Sequence, residues 1–144
     1  MRLRTFVGRA DESIFATSTP GLSPAAALIE ESINEAYDHW RQTLTSERSS
    51  LEEEFRRLAA EWKTAAEFQS SITRIAMHPA YQRIIGMGQE ALPYILRDLE
   101  MTQAPWFWAL QAITGVDPVS MEDRGYVDRM TRAWVRWGMR ENII

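Results

Sequence analysis

The sequence predicts an all-α protein, and three observations carry that prediction. Apolar residues recur at intervals of three and four along two long stretches, 24–44 and 51–66. Farther on, serine, proline and glycine fall where helices start and stop. Nowhere does the chain carry the repeated polar–apolar alternation that a sheet requires. With 144 residues, 45% hydrophobic and 25% charged, the chain is long enough for one globular domain with an extended arm.

Residues 1–22 are expected to form that arm. Arg2-Leu3-Arg4-Thr5-Phe6-Val7 alternates polar and apolar side chains, and the turn formers of Ala16–Ser23 follow. The segment is expected either to be disordered or to pair with a partner, with Phe6 as its contact residue, because a lone strand leaves its backbone groups unpaired. Ser23-Pro24 then starts a helix, with serine as N-cap and proline in the first turn. Its stripe is Ile29, Ile33, Ala36 or Tyr37, Trp40 and Leu44, opposite Glu30, Glu31, Glu35, Asp38 and Arg41. Thr45-Ser46 reads as a break, and Ser49 or Ser50 with Glu52 and Glu53 as the capping box of a second helix striped by Leu51, Phe55, Leu58, Trp62 and Ala65 or Ala66. Two one-sided helices joined by a short polar loop predict an antiparallel hairpin over residues 23–69.

Residues 70–144 predict a compact bundle of short helices. One piece around Ile72, Ile75 and Ala76 ends at His78-Pro79, and Pro79 starts a second that Gly86-Met87-Gly88 closes. Gln89 to Met101 follows, with Leu92, Ile95, Leu96 and Leu99 on one face and Pro93 tolerated in the first turn. Pro105 opens Trp106–Thr114, and Gly115 caps it. A last helix from about Glu122 to Arg140 aligns Tyr126, Met130, Trp134 and Trp137, with Ser120 and Asp123 as its expected N-cap.

Composition excludes several classes. The chain has no cysteine, hence no disulfide, thiol nucleophile or cysteine metal site. No apolar run spans a bilayer and the N-terminus lacks a signal-peptide core, so a cytoplasmic protein without membrane contact is expected. The net charge of −4 arises in residues 1–72, which hold 8 basic and 12 acidic side chains against 8 of each in 73–144. Neither half resembles a basic nucleic-acid magnet. Four of the six tryptophans fall in the last 39 positions, which predicts the densest aromatic packing there.

Tyr81 to Leu99, with a short helix ending in glycine and Ala91-Leu92-Pro93 beginning the next, resembles the hairpin of a HEAT-type repeat. Trp108 to Gly115 is similar to the start of a following unit. More closely, residues from about Phe55 to Gly138 resemble an uncharacterised family of small bacterial all-helical proteins. The resemblance is carried by His78-Pro79-Ala80-Tyr81-Gln82, Ile85-Gly86-Met87-Gly88, Trp106-Phe107-Trp108-Ala109-Leu110, Ile113-Thr114-Gly115, Asp117-Pro118-Val119, Glu122-Asp123-Arg124-Gly125 and Ala133-Trp134. It implies a helical fold and a bacterial setting near toxin–antitoxin, defence or mobile-element systems. It implies no catalytic residue.

No constellation points to catalysis, a metal or a cofactor. Gly86-Met87-Gly88-Gln89-Glu90-Ala91 has the spacing of a dinucleotide fingerprint but lacks its strand, its uninterrupted helix and its distant acid, and reads as an interhelical turn. Glu35 and His39 stand four apart without a second such pair. Asp117, Glu122, Asp123 and Arg124 form the one polar loop cluster. The arm and the stripe of the first helix are expected contact surfaces, and two further surfaces suit partner binding. Trp106, Phe107 and Trp108 point in three directions on a helix, so Trp106 or Phe107 is expected to be partly exposed unless Trp134 and Trp137 close over it. Arg129, Arg132, Arg136 and Arg140 share one side of the last helix, where Asp128 stands four before Arg132. The predicted function is a non-catalytic interaction module whose partner is another protein or a second copy. Nucleic-acid binding through the arginine stripe is the alternative, with an unrecognised enzyme behind it.

Overall fold

The computed structural model describes Gly21 and residues 23–144, and among them every regular element is helical. The expected arm and its contact residue Phe6 lie outside the described residues. Six α-helices follow in order: α1 (Pro24–Ala66), α2 (Ile72–Ala76), α3 (Pro79–Gly86), α4 (Leu92–Thr102), α5 (Phe107–Thr114) and α6 (Val127–Arg140). A 3₁₀ turn over Gly88–Ala91 joins α3 to α4. The chain divides between Ser46 and Glu47 into two units.

The expected hairpin over 23–69 does not form, because α1 is one helix of 43 residues. Its supposed turn formers are absorbed into the helix. Thr43 and Thr45 donate their Oγ1 hydroxyls to the carbonyls four residues back, His39 at 2.9 Å and Arg41 at 3.0 Å. Between residues 25 and 66 there is neither glycine nor proline, so nothing forces a break. Ser23 does cap the start, its Oγ accepting from the Ala26 amide at 3.3 Å.

In the unit 47–144 the core is built around the second part of α1. Phe55, Leu58, Ala59 and Trp62 are buried there together with Tyr81, Ile84, Ile95, Leu96, Leu99, Trp106 and Leu110. The short helices follow the punctuation in the sequence. His78 caps α3 by accepting the Ala80 amide on Nδ1 at 3.2 Å, with Pro79 in the first turn. Gly88 turns the chain at φ +68, and Gly115 ends α5 at φ +72, backbone conformations that glycine adopts without strain. Pro93 sits in the first turn of α4. The closest helix pairings are α4 with α6 and α3 with α5.

The last helix is shorter than expected, beginning at Val127 rather than near Glu122. Ser120 Oγ does accept the Asp123 amide at 3.3 Å, but this contact closes a turn before the helix. Inside α6, Gly138 has a steric role: a Cβ there would stand 2.6 Å from Leu96 Cδ1. The glycine lets α6 approach the buried Leu96 of α4 closely.

Candidate interaction surfaces

The aromatic cluster that organises the core removes Trp106 from the surface. Trp106 is fully buried, its ring centroid 4.4 Å from Trp62, 5.4 Å from Tyr81 and 5.7 Å from Phe55. Its indole Nε1 donates to Asp98 Oδ2 at 2.6 Å, and Lys63 Nζ holds the other carboxylate oxygen at 2.6 Å. Tyr81 Oη accepts the Ala109 amide at 3.0 Å and donates to the Pro105 carbonyl at 3.1 Å, which fixes the entry to α5. Burial pushes the Tyr81 phenol up to about 12, against a smaller opposing effect of the Ala109 hydrogen bond.

This geometry corrects two expectations. Trp106 is no contact residue, and the rings around it come from α1 and α3 rather than from Trp134 and Trp137, which pack edge to face on each other at 5.3 Å. The largest aromatic cluster therefore lies in the middle of the chain. Phe107 is half-buried against the core, and Trp108 is the exposed member of the triplet at 53%. Asp98 was invisible to sequence reasoning; its place four before Thr102 and eight before Trp106 spells no motif, and its role depends on Lys63 thirty-five residues away.

Arg129, Arg132 and Arg136 do gather. With Asp123, Val135 and Met139 they line an open depression of about 460 Å³. Arg129 lies 3.6 Å from Asp123 and stacks over the Tyr126 ring, while Arg132 pairs with Asp128. That hydrogen bond holds the Asp128 carboxyl below its ordinary range. Arg136 donates to the Arg132 carbonyl at 3.3 Å. The polar loop is braced in the same way: Arg124 pairs with Asp117 at 2.8 Å, and Asp117 accepts the Val119 amide. Gly86 ends α3 and Met87–Ala91 joins it to α4, as the turn reading expects. Among the described residues, no group of three or more His, Asp or Glu side chains gathers as a metal site would.

No family model matches this chain, and no curated protein or solved structure matches it. Among the described residues, no helix is long and apolar enough to cross a membrane.

An exposed apolar stripe lies on the first part of α1. Ile29 is 61% exposed, Ile33 59% and Trp40 56%, with Tyr37 and Leu44 also exposed. At 100° per residue these five and Ala36 fall within about 100° of the helix circumference. Tyr37 and Trp40 pack on one another with ring centroids 5.9 Å apart. Glu31, Glu35 and Asp38 occupy the opposite side. A helix striped on one side and uncovered along that stripe resembles half of a helix–helix contact.

Proposed function

We propose that the protein is a non-catalytic interaction module that binds another protein chain through the apolar face of α1. The observation that carries this reading is the exposed stripe Ile29, Ile33, Tyr37, Trp40 and Leu44. Two aromatics among four-spaced aliphatics match the i, i+3, i+4, i+7 anchors of helix recognition, and tryptophan and tyrosine are enriched where binding energy concentrates. A role as an accessory or regulatory component of a bacterial toxin–antitoxin, defence or mobile-element system rests on the resemblance of residues 55–138. The test is photo-crosslinking in cells of the source organism, with a benzophenone amino acid at position 37 or at position 35 on the other side. Position 37 is expected to give a discrete protein adduct and position 35 none. No adduct from either, or equal adducts from both, would overturn the reading.

A second reading, nucleic-acid binding, is favoured by one observation: Arg129, Arg132 and Arg136 line a common depression. Against it, Arg129 and Arg132 already face Asp123 and Asp128. A steep fall in affinity with salt, abolished by Arg132→Glu with Arg136→Glu, would support it; absence of binding at low salt rejects it.

A further inference from the structure

We draw no further inference here: the strongest candidate, the exposed apolar stripe of Ile29, Ile33, Tyr37, Trp40 and Leu44 on the first part of α1, carries nothing beyond the reading already given, because nothing in the structure shows what covers it.

Discussion

At Trp106 the indole N–H and the Asp98 carboxylate form a charge-assisted hydrogen bond beside the aromatic cluster, with Lys63 and the Thr102 hydroxyl as the carboxylate's further partners. Trp106→Phe keeps most of the ring and removes the donor, so urea denaturation should show a loss of about 2–3 kcal/mol. Trp108→Ala, at an exposed position two residues on, should cost under about 1 kcal/mol. The sequence offers two tryptophans either side of Phe107 with no sign of which one turns inward; the answer depends on Asp98, Phe55 and Tyr81 meeting from distant positions. Tyr81 supplies a pH signature. Its phenol, ordinarily at 10, is raised to about 12 in the fold, so the unfolded chain releases the proton first as pH rises. The associated stability is complete below about pH 10 and is lost between about pH 10 and 12, roughly 3 kcal/mol across that window. Denaturant midpoints measured from pH 8 to 12 should show this fall, and Tyr81→Phe should remove that part of it while lowering stability at pH 8 through the unpaired Ala109 amide.

On the scale of helices, α1 shows what sequence patterning delivers and where it stops. Both apolar stripes are legible from their three-and-four spacing, and so are the proline and glycine boundaries of α2 to α5. The join at residues 43–50 is not, because threonine and serine are poor helix formers that an established helix nonetheless accommodates by bonding back to its own carbonyls. Nor does the stripe on residues 29–44 reveal whether it is covered, since covered and uncovered stripes have the same spacing. This difference is measurable. Amides of residues 28–44 should exchange with solvent deuterium faster than those of residues 55–62, which sit over the core. At the α4–α6 contact, Gly138→Ala gains about 1 kcal/mol of helix propensity but drives a methyl against the buried Leu96, at a cost of about 1–3 kcal/mol. Overpacking wins, and thermal melting should register a modest decrease.

Across the whole molecule the six tryptophans divide by environment: Trp62, Trp106 and Trp134 are fully buried, Trp137 is half-buried, and Trp40 and Trp108 are open to solvent. Acrylamide should quench the exposed pair readily and leave a resistant blue-shifted component. All-helical architecture is thus readable from composition and periodicity, while which ring of a run faces solvent emerges only when burial is assigned residue by residue: of Trp106, Phe107 and Trp108, the first is buried, the second half-buried and the third exposed. A different practical consequence follows from Lys63. It is the sole lysine of the chain, and its ammonium is tied to Asp98 at 2.6 Å. Acylating reagents aimed at lysine therefore meet one side-chain amine, already engaged and only partly accessible. Its labelling rate reads the closure of α1 onto α4 as a single-site footprint, slow in the native protein and rapid once that contact opens.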